Sequence, residues 1–358
     1  MATCPAALRS ARCSREAVNG NARMRIRLLV PLLAAWACAG ESSAPAEPPL
    51  VDIVFTVSPL RPEHLTYIAP LGGLNPPGHT IPNDHIGFYY VDRCPCDLSP
   101  RPVFAPATGT VRVIRRESDD AIEVGEPTTA TDSHKQPWYY MGHVILRPEI
   151  REGSRLVAGQ EIGTTSARAF GVDLGVVDRR VQNRFIVRER YNDKALYGGK
   201  PLRYFTDPLR SELYARVRRE GADKDGVFDY DIAGRLVGGW FHESVPRDYR
   251  STSPEGWGRT LAFVYSEWNP AQPHVSVGGT ITQPAVWWID PGDPDFRDVS
   301  TASGVVRYRL SIAPASAARP PDYVLLVQLL ADDRLKIEAF PGSAQPTDFT
   351  LNASIYRR

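Results

Sequence analysis

Four short segments in fixed order constrain this chain more than any other feature: GHTIPNDHIG (78–87), PVFAPATGTVRVI (102–114), EGSRLVAGQEIG (152–163) and GVDLGVVD (171–178). Apolar and β-branched residues interrupted every few positions by Gly or Pro favour short strands joined by tight turns. Residues 102–114 read as strand, glycine turn, strand. Residues 152–163 read as a tight hairpin whose Gly153, Gly159 and Gly163 take positive φ. GVDLGVVD closes the set as a buried strand. WYYMGHVIL (138–146) and GFYYVD (87–92) add two more strands, and residues 51–69 open with another. Residues 70–87 form a Pro- and Gly-rich loop that delivers His79 and His85, and 117–134 reads as an acidic loop.

Beyond residue 189 the character changes. PLRSELYARVRREG (208–221) is the one persuasive helix, with Leu209, Leu213 and Val217 at four-residue spacing and Gly221 as its stop. Segments 234–244, 259–268, 275–281, 285–290, 304–312, 323–340 and 349–356 read as strands of an antiparallel sandwich or an incomplete barrel. The expected fold class is mostly β, one β domain over 51–188 followed by a β-rich, sandwich-like domain with one helix over 189–358.

The N-terminus carries an export signature. Met24 opens MRIRLLVPLLAAWACAG, in which Arg25 and Arg27 precede an apolar run from Leu28 to Ala37 that is too short to span a bilayer. Ala35-Trp36-Ala37 fits a cleavage site directly before Cys38, the residue a lipid would modify in a lipoprotein; plain secretion is the alternative. Residues 1–23 then form a dispensable extension, 24–38 the signal peptide and 39–50 a linker. Residues 1–38 hold six Arg and one Glu, so the remainder carries 36 basic and 40 acidic residues, a net charge of −4. That balance gives no footprint for nucleic acid, and leaves membrane attachment to the leader or a lipid on Cys38. Cys94-Pro95-Cys96 is spaced too closely for an unstrained disulfide and lacks further thiolates for zinc.

The four opening segments together resemble the M23 (LytM-type) zinc endopeptidases, over about a third of the chain. The resemblance implies a duplicated-hybrid, barrel-sandwich β scaffold. It also implies a zinc held by a His, an Asp four residues later and the last His of a closing His-x-His, with two further His assisting bound water. His85 stands at the first ligand position and His143, in Tyr-Met-Gly-His-Val, at that of an assisting His. Two positions depart from the pattern: Tyr89 stands where the Asp is expected, and Asp173-Leu174-Gly175 replaces His-x-His. The carry-over therefore yields a rearranged set: His85, Asp173 and Asp84 as candidate metal ligands, His143 and His79 as candidate catalytic groups, and Asp178 nearby. Biotinyl and lipoyl carriers share the strand and hairpin pattern, but no lysine stands at their modified hairpin tip.

Other features are bland. Asp223-Lys224-Asp225-Gly226 with Asp229 and Asp231 lacks the terminal Glu of a calcium loop. Asp290, Asp293 and Asp295 read as a turn, and Trp287-Trp288, Trp257 and Trp268 as a core residue and rim residues or a sugar platform. Two function classes follow. One is an exported module that binds a cell-wall peptide or an envelope protein in the periplasm or cell envelope without cutting it. The other is a zinc-dependent endopeptidase acting on cell-wall or other extracytoplasmic peptide bonds.

Overall fold

Nine antiparallel strands in the first half build one sheet: β1 (Tyr67–Ala69), β2 (Ile86–Tyr89), β3 (Pro102–Phe104), β4 (Gly109–Arg116), β5 (Asp120–Gly125), β6 (Trp138–Leu146), β7 (Arg155–Leu156), β8 (Glu161–Thr165) and β9 (Gly171–Val177). Their order is β1-β2-β9-β6-β5-β4-β7, with β8 bridging β3 and β6. This computed structural model describes residues 52–90, 99–116, 119–126, 135–167, 169–247, 254–290, 292–312 and 322–358. The leader with Cys38 and the Cys94–Cys96 pair lie outside them. The described residues fall within one compact unit, Pro49–Arg358, and none of their helices is long and apolar enough to cross a membrane.

The strands follow the sequence pattern closely. WYYMGHVIL forms β6 end to end, and the hairpin glycines Gly153 and Gly159 both have φ of +84°. Gly163 differs from expectation. It is not among the positive-φ glycines; a Cβ there would lie 2.2 Å from the Ile145 carbonyl oxygen, so what it supplies is close strand approach. β5 arises where an acidic loop was expected. Its Ile122 and Val124 are fully buried while Ala121 and Glu123 alternate with them; the charges concealed an ordinary two-residue period.

Segments from the second half join the same core. Helices α1 (Asp193–Leu196) and α2 (Leu209–Tyr214) carry Ala195 and Leu213 into a cluster with Phe55, Phe88 and Phe205. α2 is shorter than its apolar spacing suggests. After Tyr214 the backbone turns onto the edge of β1, where the Ile68 N–H donates to the Arg216 carbonyl and the Arg218 N–H to the Ile68 carbonyl. Val217 is thus buried beside a sheet edge, and Gly221 (φ +78°) serves a later turn.

The remaining strands close on themselves. With helix α3 (Pro254–Trp257) between the first two, β10 (Gly238–His242), β11 (Thr260–Tyr265), β12 (Pro273–Val277), β13 (Ala285–Ile289), β14 (Val306–Ser311), β15 (Tyr323–Ala331), β16 (Arg334–Pro341) and β17 (Ser354–Arg357) form a closed antiparallel barrel. Closure pairs β17 with β10 through Phe241–Arg357 and His242–Tyr356, removing the two edges an open sandwich would leave. β14 shows the logic: Val306, Tyr308 and Leu310 are buried, Arg307 and Arg309 exposed. Trp240, Phe263, Trp287 and Tyr356 are among the large buried side chains of this second core.

Candidate functional site

Three neighbouring strands bring the sequence candidates together. The register sets Gly87 of β2 and Gly142 of β6 on either side of Asp173 of β9. His85 immediately precedes β2, and His143 sits where β6 leaves β9 and pairs onward with β8. His143 has φ of +62°, a left-handed conformation uncommon for a residue with a side chain. Such a backbone costs on the order of 1–3 kcal/mol and persists only where the surroundings impose it.

The side chains form a continuous row of alternating acids and imidazoles. The Tyr140 hydroxyl donates to Asp84 Oδ1 at 2.5 Å, and Asp84 Oδ1 faces His85 Nδ1 at 3.1 Å. His85 Nε2 and His143 Nε2 each lie 3.3 Å from the same atom, Asp173 Oδ2. His143 Nδ1 meets Asp119 Oδ2 at 2.6 Å. All four ring nitrogens therefore face carboxylate oxygens, which accept only, an arrangement that favours the imidazolium form of both rings.

The electrostatics agree. Hydrogen bonding to Asp173 raises the pKa of His143 to about 9 against the opposing effect of burial, with Asp119 adding to it. Burial pulls His85 down, but the Asp173 and Asp84 carboxylates outweigh it and the net shift is upward. Burial likewise pushes Asp173 up, and the two imidazoliums more than reverse it, to about 2. Asp84 is lowered in the same way, by His85 and then Tyr140 against its burial. His79 behaves differently: burial and the positive His85 ring, 5.3 Å away centre to centre, lower it to about 4 and keep it neutral.

The two departures from the zinc pattern have a structural counterpart. At Gly175 a Cβ would lie 2.1 Å from the Tyr140 ring, so that ring fills the space a ligand side chain would take. Tyr89 lies over Gly87 and Gly171, whose Cβ positions fall 2.4 and 2.8 Å from it. Burial and the nearby Asp173 charge push its phenol well above its usual range, so it stays protonated. Tyr89 and Gly175 thus offer zinc nothing. The rearranged His85, His143 and Asp173 set does converge, but on an oxygen of its own. Zinc takes neutral imidazole, whereas the carboxylates around both rings move their pKa values upward and favour the protonated form. Among the described residues no three His, Cys, Asp or Glu side chains are arranged to hold a metal ion.

Beside the row lies a cleft of about 260 Å³ lined by His79, Asp84, Asp173, Lys194 and Trp257. The Lys194 ammonium stands 4.0 Å over the Tyr140 ring and 3.2 Å from Glu123. Thr80 Oγ1 donates to the Trp257 carbonyl at 3.3 Å and ties the histidine loop to α3.

Of the sequence candidates, His85, His143, Asp173 and Asp84 meet directly and His79 stands beside them. Asp178 does not join them: it accepts from Arg180 (2.6 Å) and Tyr204 (3.1 Å). Asp119, Tyr140 and Lys194 were not anticipated. Tyr140 had a signal in Gly175, since a glycine in a buried strand marks a close approach; Asp119 had none to set it apart within an acidic stretch. The calcium-like loop is spent internally, with Asp225 accepting from Arg203 (2.8 Å) and Tyr214 (2.6 Å).

No protein-family model and no curated protein matches the chain. Similar solved structures include a zinc-containing peptidase from Vibrio cholerae (15% identity, TM-score 0.24, 36% of this chain and 36% of that one). A second is a putative M23 peptidase from Pseudomonas aeruginosa (16%, TM-score 0.21, 36% and 48%). A third is lysostaphin (14%, TM-score 0.25, 66% and 89%). The chain thus spans about a third of the first and half of the second.

Proposed function

We propose that the sheet of β1–β9 is a binding module with an M23-like cleft and no catalytic metal. On this reading the exported chain acts in the bacterial cell envelope by holding a cell-wall peptide rather than cutting it. The observation that carries the reading is the unbroken row Tyr140–Asp84–His85–Asp173–His143–Asp119. Metal-assisted hydrolysis needs three ligands and an open position for water, whereas here the protons on His85 and His143 balance the carboxylates that a metal would otherwise neutralise. An imidazolium bonded at both nitrogens has no lone pair with which to act as a general base. What the cleft offers is recognition: carboxylates of Asp84 and Asp173, the Lys194 ammonium, the neutral His79 ring and the Trp257 face. These suit a short peptide bearing both an amine and a carboxylate.

The test is metal analysis of mildly purified protein together with incubation on purified cell-wall sacculi. Co-sedimentation with the sacculi, substoichiometric zinc and no release of new amino groups are expected. Stoichiometric zinc with amine release would overturn the reading and favour the zinc endopeptidase alternative. Fatty-acid labelling of the chain in a bacterial host, lost on Cys38→Ala, separates lipid anchoring from plain secretion.

A further inference from the structure

A second cavity, larger than the histidine cleft, lies between segments 181–184, 198–204 and 226–229 and measures about 460 Å³. Its apolar lining comes from Leu71, Val227, Phe228 and the Tyr204 ring, and its cations are Arg184, Lys200 and Arg203. A volume in the range of small-molecule sites, with an apolar wall and a few convergent polar groups, is the usual build of a ligand pocket.

The cations here hold more donors than their carboxylates take up. The Arg184 guanidinium reaches Asp229 through contacts of 3.3 and 3.5 Å, from Nε to Oδ2 and from Nη2 to the carbonyl, while its backbone N–H takes the same Oδ2 at 3.1 Å. Lys200 Nζ lies 3.5 Å from Asp225 and 4.0 Å from Asp223, at or beyond the limit of a hydrogen bond. Asp225 is already shared: Arg203 donates to its Oδ2 through Nε at 2.8 Å, and the Tyr214 hydroxyl to its Oδ1 at 2.6 Å. Asp223, the third acid, is shared with Arg219 at 4.0 Å. Arg184 and Lys200 are thus weakly engaged cations beside an apolar cavity.

We propose that this cavity binds a small organic anion, an apolar body carrying one carboxylate or phosphate. The anion would sit between Arg184 and Lys200, with the body against Phe228 and Tyr204. Arg203 stays on Asp225 and serves as wall. Charge-assisted bonds from two cations supply the specificity, and burial of the body supplies the remainder.

Calorimetric titration of the purified full-length protein tests this, with 2-naphthoate, 2-naphthyl phosphate, the neutral 2-naphthamide and inorganic phosphate. One equivalent of 2-naphthoate or 2-naphthyl phosphate is expected to bind, the tighter of the two naming the head group. Naphthamide and inorganic phosphate should each bind at least tenfold more weakly. The double variant R184Q/K200Q, checked for folding by circular dichroism, should lose at least tenfold in affinity, and R155Q, at an exposed pair with Glu126 outside this cavity, should lose none. Unchanged binding in R184Q/K200Q, equal binding of the amide, or no binding of either naphthyl anion at millimolar concentration would each overturn the proposal.

Discussion

Histidines in the two halves of the molecule end with their pKa values moved in opposite directions, although burial lowers all of them. His85 and His143 lie in the sheet with every ring nitrogen facing a carboxylate, and both are raised, His143 to about 9. His274 lies in the barrel on β12, its ring 5.0 Å from Trp288, and neither nitrogen has a hydrogen-bond partner among the described residues. Burial alone lowers it to about 4. Ser276, two residues along β12, is fully buried with its hydroxyl also unpartnered. The difference teaches that burial does not set a histidine's charge; its acid neighbours do. The sheet holds a row of paired acids and imidazoles, and β12 of the barrel holds neutral polar groups that burial has stripped of solvent.

The largest effect that would break this contrast comes from Asp173, the one carboxylate shared by both imidazoliums. Asp173→Asn removes the charge at the centre of the row and leaves His85 and His143 facing a neutral amide. Removing one partner from a buried ion pair costs about 3–5 kcal/mol, so urea unfolding should show a loss of that order. NMR titration should find His143 moved down from about 9. A loss below about 1 kcal/mol would mean that the row is held by solvent and not by Asp173.

Next in size is Gly175→Ala. The new methyl would lie 2.1 Å from the Tyr140 ring, which must leave its seat and loosen its bond to Asp84. Overpacking of this kind costs about 1–3 kcal/mol. In a Tyr140→Ala background the same change should cost at least about 1 kcal/mol less, because contacting residues couple. Additive costs would show that Gly175 is needed for some reason other than the tyrosine.

Most of the scaffold could be read from the chain because its period is local. β6 and the 152–163 hairpin needed only alternation and glycine placement, and the barrel strands needed only their spacing. What the sequence concealed depends on distant partners. β5 was masked because Asp120 and Glu123 face groups contributed by β6 and α1, as in Leu146 N–H to Asp120 (3.0 Å) and Lys194 to Glu123 (3.2 Å). Closure of the barrel depends on a pairing between β10 and β17, more than a hundred residues apart. In the site, His85, His143, Asp173 and Asp84 were legible as candidates. Their mutual pairing was not, because it depends on Asp119 and on the Tyr140 ring lying over Gly175.

The pH dependence of stability sharpens the comparison, since His143 and His274 should weigh on opposite limbs. His143 is raised above its unfolded value of 6.5, so its contribution is fully present below about pH 6.5 and is lost as pH rises through about 9. His274 is depressed to about 4, so the unfolded chain takes up its proton first. That costs stability progressively as pH falls from 6.5 through about 4, and His79 adds to the same limb. Asp173, depressed to about 2, withdraws its contribution only below its unfolded 3.8. In urea midpoints measured from pH 4 to 10, His143→Gln should flatten part of the alkaline limb, leaving the share due to His85. His274→Leu should flatten part of the acid limb, leaving the share due to His79. Identical profiles in the two variants would erase the distinction between the regions.

The smallest effect is the one most specific to the barrel. Ser276 buries a hydroxyl that nothing among the described residues satisfies, on a fully buried stretch of strand. A buried polar group without a partner costs about 1–3 kcal/mol of desolvation, and an apolar replacement of similar shape is neutral or stabilising. Ser276→Ala removes one oxygen and leaves the strand backbone unchanged. Its unfolding midpoint should stay level or rise, by up to about 1 kcal/mol once the small void left behind is set against the relief. Tyr140→Phe, which deletes a hydroxyl that donates to Asp84 at 2.5 Å, should move the other way. A loss at Ser276 as large as that at Tyr140 would mean that the barrel's hydroxyl is as well satisfied as the sheet's, and the contrast would reduce to the histidines alone.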